Sequence, residues 1–151
     1  MANNLCNNAS AVSFVHKHKG DCAFIARQLA VPLENILGLA AQESQYGTGR
    51  IARELNNYFS MHAPAPLQIG AEAPLGNPNL KVAKFSSFFE SAQSFSARYG
   101  GAVYGKKDPL DFAHALVSAS FNTGNSANGG RDGFATYLAS IIKAVRERLQ
   151  C

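Results

Sequence analysis

A chain of 151 residues suits a single domain around one buried core. Its hydrophobic share of 46% and charged share of 16% describe a globular protein and exclude an intrinsically disordered one. The formal net charge of +4 favours a polyanionic partner, but the lysines and arginines are scattered, without a dense basic helix or an aromatic-basic stripe, which argues against nucleic acid.

No apolar run is long enough to span a bilayer, so membrane insertion is not expected. The opening MANNLCNNASAVSFV lacks the basic start and apolar centre of a secretory signal. Cys6, Cys22 and Cys151 lie too far apart for a paired-cysteine zinc motif. Cys6 could clip the N-terminal arm to Cys22, or tie the termini together with Cys151, or all three could be unrelated thiols.

In chain order, residues 1–10 are Asn-rich and read as a loose arm, and residues 11–17 as a short helix. His16 and His18, two apart, do not share a helix face, so they read as surface residues and not as a metal pair. Asp21 is placed to cap a helix through Arg27 and Leu29. Val31-Pro32 breaks the chain, with Pro32 suited to the first position of the next helix.

In that helix Leu33, Leu37, Ala40 and Ser44 form one row at helical spacing, and Ile36, Ala40, Glu43 and Gly47 form another. Gly47 is expected to end it, because glycine takes the left-handed conformation at little cost. Glu43 then faces inward near the helix C-terminus. Burial and the negative end of the helix dipole both disfavour its charged form. A carboxylic acid still protonated near neutral pH can serve as general acid in glycosidic cleavage. The alternative is a Glu43 rotated to the helix edge and solvated.

Residues 51–55 read as a helical turn leading into Asn57-Tyr58-Phe59. Residues 63–79 hold four of the six prolines and little helical periodicity. Segments 67–70 and 81–85 could pair as a small hairpin. Glu72 is the only carboxylate of that proline-rich stretch, either a second acidic group or a solvated loop residue. Ser87-Phe88-Phe89-Glu90 fits a capping box, although Ser91 could be the cap, and its helix is expected to stop at Gly100-Gly101. Asp108-Pro109-Leu110-Asp111 starts another helix that continues through Phe112, Leu116 and Val117. Residues 122–133 are a Gly/Asn-rich loop. The last helix carries Phe134, Tyr137, Leu138, Ile141, Ile142, Val145 and Leu149 at amphipathic spacing.

Ala41-Gln42-Glu43-Ser44-Gln45-Tyr46-Gly47, then Ala52, then Asn57-Tyr58-Phe59, resembles the signature of bacterial glucosaminidases, peptidoglycan hydrolases in which a helix ends in Glu-Ser-x-x-Gly and an Asn-x-Phe-Gly turn follows. The resemblance extends through residues 81–99. Ser60 departs from it, standing where the family usually has glycine. Phe121-Asn122-Thr123-Gly124 resembles the Tyr-Asn-x-Gly motif of lytic transglycosylases, with Phe121 in place of tyrosine. Their Gly-Leu-Met-Gln motif is represented only by Leu67-Gln68 followed by Ile69-Gly70.

The resemblance implies a mainly α, lysozyme-like fold with a small hairpin or irregular lobe around residues 63–85, in one domain over residues 1–151. Four helices after Pro32 are expected to wrap the Glu43 helix. It implies a glycoside hydrolase of the β-1,4 bond between N-acetylglucosamine and N-acetylmuramic acid, with Glu43 as general acid and Glu72 as candidate second acid. Glu72 is expected beyond the ~5–5.5 Å that a retaining pair requires. Asn57 is placed to fix its loop through backbone groups. Ser44, Tyr46, Asn57, Tyr58, Phe59 and Asn122 are the substrate-binding candidates, with Tyr46 and Tyr58 best suited to stacking on sugar and Phe59 more readily read as core. No metal or cofactor is implied. The expected partners are peptidoglycan strands, together with an immunity protein or delivery machinery, since a holin or secretion system would have to carry the enzyme to the wall. The alternatives are a lytic transglycosylase on the same glycan and a non-catalytic wall-binding module.

Overall fold

The computed structural model describes residues 4–73 and 79–151. A single 3-10 turn, Asn4–Asn7, precedes six α-helices: α1 (Ala9–Leu29), α2 (Leu33–Ser44), α3 (Arg50–Leu55), α4 (Phe88–Val103), α5 (Pro109–Ser118) and α6 (Phe134–Arg148). Between α3 and α4 lies an antiparallel hairpin of β1 (Gly70–Glu72) and β2 (Val82–Lys84), in register Gly70↔Lys84, Ala71↔Ala83 and Glu72↔Val82. The architecture is the mainly helical, small-hairpin arrangement expected. Among the described residues no helix is long and apolar enough to cross a membrane.

Where the sequence suggested two helices before Pro32, there is one. The buried stripe Ala11, Phe14, Val15, His18, Cys22, Ile25, Ala26 and Leu29 continues at helical spacing past Gly20. A solvent-facing glycine costs about 1 kcal/mol, too little to break such a stripe. Asn8 caps α1 by accepting from the Ala11 N–H at 3.1 Å, and the helix ends where Ala30 turns left-handed (φ 55). Asp21 lies inside the helix, not at a cap. His18 is also corrected: it is buried, stacked on Phe88 at 3.9 Å between ring centroids. Burial and neighbouring Lys17 depress its pKa to about 4, so it is neutral over most of the working range.

The second helix is the central one. Ile36, Leu37, Leu39, Ala40 and Ala41 are fully buried, and α2 packs chiefly against α1 and α6. The expected wrap by four helices after Pro32 is not seen: of those helices only α6 packs substantially on α2, and its other flank is covered by α1, which precedes Pro32. Pro32 is the cap residue (φ −63, ψ 146), one position before the helix. Gly38 lets α6 approach, since a Cβ there would stand 2.6 Å from Ile142 Cγ1. The buried Asn35 amide donates to the carbonyls of Lys106 and Lys107 at 3.2 and 3.1 Å, which fixes the start of α2 on the turn beyond α4.

Ser87 caps α4 by accepting from Glu90 N–H at 3.2 Å. The helix runs past Gly100-Gly101 to Val103, because Gly100 faces Leu29, whose Cδ2 would stand 2.8 Å from an added Cβ. This glycine serves close packing of α1 on α4 and does not end the helix. Asp108 caps α5 as the motif predicts, accepting from Leu110 and Asp111 N–H groups at 3.1 Å. The first strand follows the 67–70 segment instead of occupying it: Leu67 has a left-handed backbone (φ 65), and pairing starts at Gly70. The part of the proline-rich stretch from 74 to 78 lies outside the described residues.

The N-terminal arm is tied down from residue 4 onward. Cys6 and Cys151 form a disulfide, and Arg148 Nε donates to the Leu5 carbonyl at 3.2 Å. Cys22 is free, buried in the core, with its thiol pushed well above the usual range by burial.

A loop closed by a bond between residues 6 and 151 removes much of the freedom of the unfolded chain. The double substitution Cys6→Ser with Cys151→Ser should lower unfolding stability by about 2–4 kcal/mol in urea titrations. A reducing agent should produce the same loss in the unsubstituted protein and none in the double variant.

Candidate active site

Glu43 stands in the last turn of α2. Its carboxyl is packed round by protein yet keeps an opening to solvent, onto a hollow of about 220 Å³ lined by Glu43, Ser44, Gln45, Gly49, Arg50, Ile51 and Ala52. Burial raises its pKa to about 7. Three contacts pull the other way without prevailing: the Ser60 hydroxyl, the Gln42 side chain (Nε2 to Glu43 Oε2, 3.5 Å) and the charge of Arg131. The inward face expected for Glu43 is thus the one it occupies.

The turn after α2 sets the mouth of this hollow. The helix ends two residues earlier than Gly47: Gln45, Tyr46 and Gly47 all have positive φ (54, 54 and 79). Ser44 holds the turn, its hydroxyl donating to the Ala40 carbonyl at 2.6 Å and accepting from Gly47 N–H at 2.9 Å. Gly47 is still required, because a Cβ there would come within 3.0 Å of the Phe14 ring.

The other expected site residues divide by what they touch. Asn57 clamps its loop as anticipated: its amide donates to the carbonyls of Met61 and Ala83, both at 2.9 Å, and its carbonyl accepts from Met61 N–H at 3.0 Å. Phe59 is fully buried and stacks on Phe95 at 5.3 Å. For Asn57 (2% exposed) and Phe59 (0%), burial replaces the sugar contact expected from the sequence with a structural part. The Tyr46 hydroxyl accepts from Arg148, which joins the turn after α2 to the chain termini. Tyr58 is half-buried against Phe88, His18 and Phe14, and burial raises its pKa. Asn122 organises the loop before α6, accepting from Gly124 and Arg131 N–H groups at 2.8 and 3.0 Å.

Glu72 is exposed on β1 and borders a shallow crevice, too tight to hold a water molecule, with Arg50, Ile51, Glu54 and Leu55. The hollow and the crevice share Arg50 and Ile51, so α3 runs along both. Sequence reasoning missed Arg131, whose guanidinium lies 3.7 Å from the Tyr137 ring centre and whose charge reaches Glu43. The signal available was Tyr137 itself, a half-exposed phenol in an otherwise apolar stripe. It also gave Ser60 no contact with Glu43. Among the described residues no group of three or more His, Cys, Asp or Glu is placed to hold a metal.

Residues 21–147 match the family model Glucosaminidase, described as mannosyl-glycoprotein endo-beta-N-acetylglucosaminidase. A chain of a type VI secretion system effector-immunity complex from Pseudomonas protegens is 66% identical, with a TM-score of 0.90 over 99% of this chain and 100% of that one. The C-terminally truncated glycoside hydrolase domain of Salmonella typhimurium FlgJ is 25% identical, with a TM-score of 0.63 over 91% of this chain and 98% of that one. A peptidoglycan hydrolase from Sphingomonas sp. A1 shares the fold, at 24% identity and a TM-score of 0.76 over 92% and 93% of the two chains. No curated protein compared with the chain matches it.

The raised pKa of Glu43 makes stability depend on pH in a definite sense. Between pH 4.5 and about 7 the folded carboxyl keeps a proton that the unfolded one releases, so stability falls as pH rises through that window. His18, depressed from 6.5 to about 4, acts oppositely: its stabilisation is complete above pH 6.5 and is lost as pH falls towards 4. In the natural chain the two offset each other. Glu43→Gln removes only the first, so the variant should gain on the natural protein between pH 4 and pH 8 by about 3 kcal/mol, read from urea unfolding at the two pH values.

Proposed function

The chain belongs to the glucosaminidase family, and we propose, on that premise, that this glycoside hydrolase cleaves peptidoglycan at the β-1,4 bond between N-acetylglucosamine and N-acetylmuramic acid, with Glu43 as general acid. The observation that carries the catalytic assignment is a carboxyl held near pKa 7 beside an open hollow. A protonated Glu43 can pass its proton to the departing glycosidic oxygen as the C–O bond breaks, and the positive charge develops on the sugar. The choice of glycan is supported by the glucosaminidase family itself and, at the level of fold, by the likeness to the Sphingomonas peptidoglycan hydrolase.

Glu72 is the proposed second carboxylate, acting as base on a water or as a stabiliser of the developing charge once the hairpin lobe closes on the substrate. Ser44 and Gln45 line the hollow with Glu43, while Tyr46, Tyr58 and Asn122 shape its surroundings through the turn, the aromatic cluster and the loop they hold. The 66% identity to a chain of the Pseudomonas effector-immunity complex supports delivery by a secretion system to the wall of a neighbouring bacterium, and a cognate immunity protein in the producer. Antibacterial wall lysis is the outcome this implies.

Incubation with purified sacculi should release fragments with reducing ends, identified by mass spectrometry. Anhydro-muramyl ends would assign a transglycosylase instead, and binding without release a wall-binding module. Glu43→Gln should fold and lose about 10²- to 10⁴-fold in rate. Since Glu43 works only when protonated, the rate should decline as pH rises above about 7. A loss in Glu72→Gln comparable to that in Glu43→Gln supports the second-carboxylate role, and a small loss removes it.

A further inference from the structure

The Cys6–Cys151 bond joins two exposed residues, so thiols and disulfides in solution can reach it, whereas Cys22 is sealed in the core. The 3-10 turn that carries Cys6 has no buried residue, so burial adds little to the hold that this bond has on it. That turn presents the Leu5 carbonyl to Arg148 of α6. Arg148 is itself buried, and neutral groups hold its charge. Its Nε donates to Leu5, its Nη1 donates to the Tyr46 hydroxyl, and the guanidinium lies 4.9 Å from the Tyr46 ring centre. A buried donor left without an acceptor is destabilising, so Arg148 stays where both acceptors are kept in reach.

Tyr46 needs such a hold. It and Gln45 are consecutive non-glycine residues in the left-handed region, which a Cβ disfavours. Strained backbone persists only where its surroundings over-determine it. Here they do so through the Ala41 carbonyl, which accepts from Tyr46 N–H at 2.8 Å, the edge-to-face contact with Phe14, and Arg148. The same turn ends α2 directly after Glu43 and Ser44, and Gln45 lines the hollow with them. Of the three fixings, Arg148 is the one linked to a bond that redox chemistry can open.

We propose that the Cys6–Cys151 disulfide controls the active site through Arg148: closed, it keeps the Leu5 carbonyl on the guanidinium, and Arg148 acts as a positioning residue that holds Tyr46 and the turn beside Glu43 in the working arrangement. The bond forms by thiol–disulfide exchange with a small disulfide. One cysteine thiolate attacks it and expels one thiol, and the second cysteine displaces the other. The two cysteines thereby lose two electrons and two protons, and the small disulfide gains both as two thiols. A reducing cytosol keeps the pair open, and an oxidising cell envelope closes it. On the proposed delivery route the enzyme therefore reaches full rate only in the compartment that holds the wall. The inference rests on the reading of Glu43 as the general acid.

The test measures kcat and KM on sacculi under conditions where circular dichroism shows each protein folded. It compares the oxidised protein, the same protein reduced with a dithiol, Cys6→Ser with Cys151→Ser, Tyr46→Phe, and all three substitutions together. Reduction and the double cysteine variant should each lower kcat by roughly 10-fold with KM within about twofold, because the cysteines do not line the hollow and only the turn is displaced. Oxidised glutathione should restore the reduced protein and leave the cysteine variant as it was. Tyr46→Phe keeps the disulfide and the ring but removes the acceptor, and should lose about as much. The triple variant should lose no more than either, since both changes act on one contact. A bond with a purely structural part lowers stability but leaves the kcat of folded molecules untouched, so natural kcat in the folded, reduced protein would overturn the inference. Losses that multiply in the triple variant would also overturn it. So would natural kcat in Tyr46→Phe, which keeps the test decisive if the cysteine variant is too unstable to assay. If Glu43→Gln is inactive while the other variants turn over at the natural rate, only this coupling falls. If Glu43→Gln keeps full activity, the acid assignment falls, and this inference with it.

Discussion

A carboxyl group buried at the end of a helix whose middle turns are sunk in the core is the constraint around which this molecule is arranged. Placing Glu43 there is unfavourable for its charge, and the fold holds it in place by packing α2 closely between α1 and α6. Gly38 admits α6 to van der Waals contact, and the Asn35 amide ties the helix start to the turn beyond α4. The Arg146–Glu34 ion pair at 3.1 Å joins the same helix to α6 at the surface, where such a pair adds at most about 1 kcal/mol. α2 then ends in the left-handed turn at Gln45, Tyr46 and Gly47, beside the hollow.

The electrostatic balance at Glu43 follows from magnitudes. The Ser60 hydroxyl, the Gln42 amide and the Arg131 charge each favour the carboxylate, but a hydrogen bond contributes only about 0.5–1.5 kcal/mol net, and Arg131 sits in an exposed loop where solvent screens it. Loss of hydration is the larger effect and leaves the group protonated near neutral pH. The termini take part in holding the surroundings. The Cys6–Cys151 bond keeps Leu5 in reach of Arg148, and Arg148 holds Tyr46 in the turn next to Glu43.

Much of this was legible in the residues themselves. The row Ile36, Ala40 and Glu43 placed the acid inward, and Asp108-Pro109 and the Ser87 cap marked helix starts that the structure has, because capping is local chemistry. Helix ends were less legible, since they depend on distant partners. The stretch after residue 17 and Gly100 read as helix ends, yet the buried stripe of α1 runs through the first and Gly100 is a contact for Leu29. The polar members of the candidate site divided similarly. Asn57 and Phe59 stand at the motif positions but face the core, because the motif records how the loop is held as well as what meets the sugar. Arg131 was invisible because its proximity to Glu43 comes from a loop whose path is set by Asn122, Gly130 and Asp132, through contacts that no periodicity encodes.

The central claim is that burial keeps Glu43 protonated into the neutral range, and the most direct measurement is its titration by carboxyl carbon NMR in the intact, oxidised protein. Comparison with Glu43→Gln identifies the resonance. A midpoint near 7 is the result that the structure requires. A midpoint near the ordinary value of 4.5 would contradict it, because Glu43 would then be ionised at neutral pH and could not donate the proton on which the proposed chemistry depends.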